Sequence, residues 1–208
     1  MVEPERTARA PRRTARGEAT RARILQAAVD LMTVKGVAAT TLDEVRAASG
    51  TSKSQLYHHF DDKAALVQGV IDRQAEDVFA RQEVLLKRLN SIRGLERWRD
   101  AIVQRNTLRN GAYGCPLGSM ASELSDRNER ARSALAVHFE TWEGLIAQGL
   151  ERMRAAGELR QDADPQRLAI GLIGALQGGY LLAQTQQDST PMKVALDMAI
   201  DCIRAYQA

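Results

Sequence analysis

The 208 residues suffice for one large or two small folded units, and 44% apolar with 26% charged side chains is ordinary for a soluble globular protein. No run approaches the roughly 18 apolar residues of a membrane span, and the charged N-terminus lacks the apolar stretch of a secretory signal. The net charge is only +3, yet residues 1–63 hold all of the excess, with 11 Lys or Arg against 8 Asp or Glu, while the remainder carries 18 of each; a nucleic-acid footprint at one end would look like this.

Residues 1–17 set Arg6, Arg9, Arg12, Arg13 and Arg16 among Ala, Pro and Thr without apolar periodicity, which reads as a basic flexible arm. It is either a solvated tail or a segment that follows a DNA backbone or enters a minor groove. A first helix is expected over 18–35, closed by Gly36, with Ile24, Leu25, Ala28, Leu31 and Met32 as its inward stripe. Thr41 with Glu44 three residues on makes a capping box for a second helix, on which Leu42, Val45 and Ala48 share a side. Gly50 supplies a left-handed turn. Ser52 is placed to cap a third helix whose Leu56 and Phe60 face inward. Thr51, Ser52, Lys53, Ser54, Gln55, Tyr57 and His58 then occupy its start and outer face, with the hydroxyl, amide and cationic groups that bond base edges and phosphates. The stretch 41–63 reads as a helix-turn-helix.

Thr40-Thr41, Gly50 and Ser52-Lys53-x-x-Leu56-Tyr57-x-His59-Phe60-x-x-Lys63-x-x-Leu66 resemble the DNA-binding signature of the TetR family of one-component transcriptional regulators. The match covers about a quarter of the chain, and so many fixed spacings are far more specific than a generic helix-turn-helix. It departs at Arg46, where the family has a small residue, and at Thr51, where it has an apolar one. The resemblance implies an all-α protein of about nine helices. An N-terminal three-helix DNA-binding domain, residues 18–66, would be followed by a ligand-sensing and dimerisation domain, residues 67–208, whose last two helices pair with a second copy. It also implies a repressor of double-stranded DNA with a palindromic operator, released by a small, mostly apolar ligand. Base contacts fall to Thr51, Ser52, Lys53, Ser54 and Gln55, and phosphate contacts to Thr41, Tyr57, His58 and Lys63.

Asp61 or Asp62 caps a fourth helix expected to run to about residue 89. Lys63 in its first turn is a cation where the helix dipole favours an anion, a conflict that an external phosphate would resolve. Further helices are expected over 95–109, 119–125, 128–156, 165–187 and 191–206, with a glycine-rich interruption at 110–118. Glycines 171, 174, 178 and 179 inside a helix suggest close helix approach or room for a ligand.

Gly114-Cys115-Pro116-Leu117-Gly118 and the residues to Ser125 resemble a segment of one TetR subgroup, which includes regulators of multidrug efflux and of enzymes that clear electrophiles. Cys115 just before a helix start is either a redox-sensing thiol, its pKa lowered by the dipole, or a small residue fitting a tight turn. Trp98, Tyr113, Met120, Phe139, Trp142, Gln177 and Tyr180 are candidate pocket lining, or core. His58 and His59, being adjacent, point to different sides of a helix and do not make a metal site with Asp61 and Asp62. No cofactor is expected. Catalytic signatures such as Gly-x-Ser-x-Gly, a phosphate-binding loop or Cys-x-x-Cys are missing, so no enzyme is expected either. Two cysteines make no disulfide framework, which leaves the cytoplasm as the default location and no membrane partner.

Overall fold

The computed structural model describes residues 14–208. Among the described residues there are nine helices and no strand, only an isolated bridge between Leu159 and Gln207. The chain divides into two compact units that meet between Leu66 and Val67.

In the first unit, α1 (Ala15–Lys35) starts earlier than periodicity alone suggests. The Thr14 hydroxyl accepts from the Gly17 amide at 3.2 Å, so Ala15, Arg16 and Gly17 form the first turn of a helix and not the end of an arm. The rest of the expected arm lies outside the described residues. α1 packs against α2 (Leu42–Ser49) and α3 (Lys53–His59) through Ile24, Leu25, Ala28 and Met32, all buried. Val45 is the buried residue of α2, with Leu42 half-buried; Ala48 faces solvent, contrary to expectation, because so short a helix turns only a narrow strip inward. Gly50 adopts φ +63 and ψ +34, the left-handed conformation that turns the chain into α3. Leu56 and Phe60 close the core, 1% and 4% exposed. The Arg21 guanidinium stacks over the Phe60 ring at 5.3 Å.

α4 (Lys63–Lys87) begins in the first unit and continues into the second. Its cap is Asp62, whose carboxylate accepts from the Ala65 amide at 2.7 Å. The second unit adds α5 (Ile92–Thr107), α6 (Pro116–Leu124), α7 (Glu129–Ala155), α8 (Pro165–Gln186) and α9 (Thr190–Arg204). α8 packs on α7 and α9, α9 on α5, and α6 on α7. α6 begins three residues before its expected start because Pro116, with no N–H to satisfy, sits at its first position. The interruption between α5 and α6 carries left-handed residues, and at Gly111, φ +74, a Cβ would stand 2.4 Å from the Ala183 carbonyl oxygen of α8. No other residue fits there. Of the α8 glycines only Gly179 makes a close approach, to Met192 of α9; Gly171, Gly174 and Gly178 face open space. α8 is also long and apolar enough to cross a membrane, which a search for unbroken apolar runs overlooks, but its inner face is packed on α7 and α9.

Candidate DNA interface and sensor site

The interface is built on two reciprocal helix caps. Thr41 and Glu44 exchange hydrogen bonds at the start of α2, and Ser52 and Gln55 do so at the start of α3. The Ser52 hydroxyl accepts from the Gln55 amide at 3.1 Å, and the Gln55 side-chain oxygen accepts from the Ser52 amide at 2.9 Å. α3 is thereby fixed at its N-terminal end while Ser52, Lys53, Ser54, Gln55, Tyr57 and His58 remain exposed. With its Oε1 engaged, Gln55 presents only its Nε2 donors outward, so in this conformation it matches acceptor edges such as guanine O6 or N7.

Thr51 does not join them. It is 5% exposed, and its hydroxyl shares a 2.8 Å hydrogen bond with Ser49 Oγ. The position demands an inward residue, and a threonine tolerates it because Ser49 satisfies the hydroxyl. Thr51 is therefore removed from the base-reading set.

Beside α3 an open notch is lined by Thr41, Asp43, Arg46, Lys53, Tyr57 and Lys63, among others. Three cations meet one carboxylate there, and that carboxylate, Asp43, is paired with Arg46 at 3.4 Å. Lys63 Nζ donates to the Ala38 carbonyl at 3.2 Å, which satisfies one of its three N–H groups and leaves the others available. The notch thus offers surplus positive charge, a phenolic hydroxyl and a helix N-terminus to an anion of phosphate size. Arg46 is the residue that the sequence reading noted as a departure without placing it in the site.

In the second unit the expected pocket residues separate. Trp98 and Trp142 are fully buried, and both indole N–H groups donate to one acceptor, Gln82 Oε1, at 2.8 and 3.2 Å. They are core, with Phe79 edge-on to Trp142 at a centroid distance of 6.3 Å. Met120 is buried and Phe139 half-buried. Tyr113, with φ +67, is 52% exposed and turned to solvent because it sits at the left-handed turn before α6; it is not pocket lining.

Gln177 and Tyr180 come together with Cys115. Gly118 lets α6 approach α8 so closely that a Cβ there would stand 2.5 Å from Gln177 Oε1, and the Gln177 amide lies near enough to Cys115 to favour its thiolate. Gln177 Nε2 is buried without a partner, as is Asn106 Oδ1. Burial pushes the Cys115 thiol above its ordinary pKa, the reverse of the lowered value expected beside a helix start: loss of water outweighs the amides of Leu117 and Gly118. Burial likewise raises the Tyr180 hydroxyl to about 12. The charges of Arg81, Arg105 and Arg109 reach Tyr180, and that of Arg81 reaches Cys115. Desolvation, followed by the repulsion of Arg105, lowers the Arg81 guanidinium from its usual value.

Comparison with known proteins gives the following. Residues 24–70 match the family model of bacterial regulatory proteins of the tetR family, and residues 86–199 match that of the tetracyclin repressor-like C-terminal domain. The transcriptional regulator AcuR of Cereibacter sphaeroides is 29% identical over 81% of this chain and 78% of its own. The HTH-type transcriptional repressor DhaR of Mycobacterium sp. GP1 is 25% identical over 81% of this chain and 84% of its own. A TetR-family regulator from Cytophaga hutchinsonii has the same fold, with a TM-score of 0.80, 19% identity, and coverage of 95% of this chain and 99% of that one.

Proposed function

The chain belongs to the TetR family of bacterial regulatory proteins and is a DNA-binding transcriptional regulator, and from that premise we propose that it is a repressor that binds a palindromic operator as a homodimer and releases it when a small molecule occupies the second unit. The observation that carries this reading is the exposed face of α3, held by the Ser52–Gln55 box and flanked by the cationic notch. Ser52, Lys53, Ser54 and Gln55 read base edges in the major groove, while Thr41, Arg46, Tyr57, His58 and Lys63 serve the phosphates. Pairing of two copies through α8 and α9 sets two recognition helices one or more turns of DNA apart. A hundredfold loss of operator affinity on ligand binding needs only about 2.7 kcal/mol of coupling, and α4, continuous from one unit into the other, is the element to carry it. Switching by oxidation of Cys115 gains no support from a thiol that is 3% exposed with a raised pKa.

The test is fluorescence anisotropy of a labelled duplex from the region upstream of this protein's own reading frame, against a scrambled duplex at several salt concentrations. Specific binding is expected, with Lys63→Ala weakening both duplexes alike and Lys53→Ala altering the preference between them. Equal affinity of the wild type for both duplexes across the salt series contradicts the reading.

A further inference from the structure

A glutamine in the major groove ordinarily reads adenine, and it needs both ends of its amide to do so: Oε1 accepts from the adenine N6 amino group while Nε2 donates to N7. In α3 one of those ends is already engaged. Gln55 Oε1 accepts from the Ser52 amide at 2.9 Å, and the Ser52 hydroxyl accepts in turn from the Gln55 amide at 3.1 Å. The bond turns Oε1 back onto the start of the helix. Nε2 is left as the outward end of an exposed side chain, without an acceptor among the described residues. α3 has only seven residues. So short a helix gains little from propensity and depends on its cap and its packing. Turning Oε1 toward a base would unfasten the element that carries it.

The place of Gln55 on α3 suits a base more than a phosphate. α3 lends Lys53, Leu56 and Tyr57 to the lining of the cationic notch, and Gln55 is not among them. With Leu56 buried, about 3.6 residues per turn put Lys53 and Gln55 on opposite flanks of the exposed face, with Ser54 between them. Gln55 therefore stands on the flank away from the notch. The four bases offer different edges to an amide that donates only. Guanine sets two acceptors, O6 and N7, side by side. Adenine sets a donor beside its acceptor, thymine a methyl group beside its acceptor, and cytosine a donor alone.

We propose that the Ser52 cap makes Gln55 a donor only, and that its partner in each operator half-site is guanine and not the adenine that an uncapped glutamine would take. This rests on the reading of α3 as the helix that enters the major groove. The cap and the base choice are then one device: the bond that starts the helix also sets which end of the amide meets the DNA.

Selection of bound duplexes from a library with a randomised centre, followed by sequencing, tests it with the wild type and two variants. Gln55→Glu keeps the capping box, which glutamate serves as well as glutamine, but offers acceptors only. Gln55→Ala removes the contact. The wild type is expected to enrich a motif with a guanine in each half that Gln55→Ala no longer requires. Gln55→Glu should exchange that guanine for cytosine, whose N4 donates, and leave the other positions unchanged. In the wild-type motif, adenine in place of that guanine should weaken binding about fivefold to tenfold by anisotropy, with little effect on Gln55→Ala. Equal thermal midpoints of wild type and Gln55→Glu are expected, so that the altered preference is not a loss of folding. Any base other than guanine at the position governed by Gln55, or a motif in which no position depends on Gln55, overturns the proposal and leaves α3 as the reader. No enrichment by the wild type removes the reading of α3 itself, and the proposal with it.

Discussion

At the start of α2 one carboxylate serves three donors: Glu44 accepts from the Lys35 ammonium, the Thr41 hydroxyl and the Thr41 amide. Together these hold its pKa down at about 2, the Lys35 contact being the largest cause. The unfolded carboxyl titrates near 4.5, so the folded state prefers the charged form, and the stabilisation is fully present above that pH. It fades as pH falls from about 4.5 toward 2. Glu44→Gln keeps an acceptor for the Thr41 amide but has no charge to titrate. The difference in thermal midpoint between wild type and this variant, clear at pH 6, is therefore expected to shrink at pH 3. A difference that stays constant would mean that the Lys35–Glu44 pair contributes nothing pH-dependent. The pair is exposed, so added salt should reduce the pH 6 difference as well.

Among elements, α4, α5 and α7 are joined by a single amide. Gln82 on α4 accepts the indole N–H of Trp98 on α5 and of Trp142 on α7, at positions where none of the three side chains is more than 9% exposed. Gln82→Met keeps the volume and strands two buried donors, each costing about 1–3 kcal/mol. Equilibrium denaturation followed by tryptophan fluorescence should show a loss of about 2–6 kcal/mol, and because both tryptophans of the chain lie here, the native emission should shift too. Unchanged stability would show that water replaces the amide. The helices themselves were readable in the sequence because caps and periodicity are local: Thr41, Gly50, Ser52, Asn128 and Asp164 act on amides within a few residues. What pairs across helices was not readable. Nothing near Trp98 in the chain names Gln82, and nothing in the residue type of Thr51 shows that its hydroxyl is bonded to Ser49.

For the whole molecule the open side of α8 is the face on which the proposed pairing of two copies can be tested. Ile170, Leu181 and Leu182 are 50%, 65% and 47% exposed, Val194 and Met198 of α9 are 50% and 69%, and Gly171, Gly174 and Gly178 lie between them on α8 with nothing within 4 Å of where a Cβ would stand. In an isolated chain each such glycine costs about 1 kcal/mol against alanine and the apolar side chains gain nothing from exposure. A second copy seated on this face accounts for both features, since glycines let two helix backbones approach and the flanking side chains then become buried. Gly174→Leu separates the two situations. A lone chain has open space there and accepts leucine with a gain in helix propensity. A dimer packed against Gly174 must open to admit it. Sedimentation is expected to show a monomer with undiminished helical circular dichroism, and operator affinity should fall at least tenfold, because one reading head has lost the half-site contacts of its twin. A Gly174→Leu variant that remains dimeric with full affinity would place the interface on another face, and the spacing of recognition helices would then have to be set by elements other than α8 and α9.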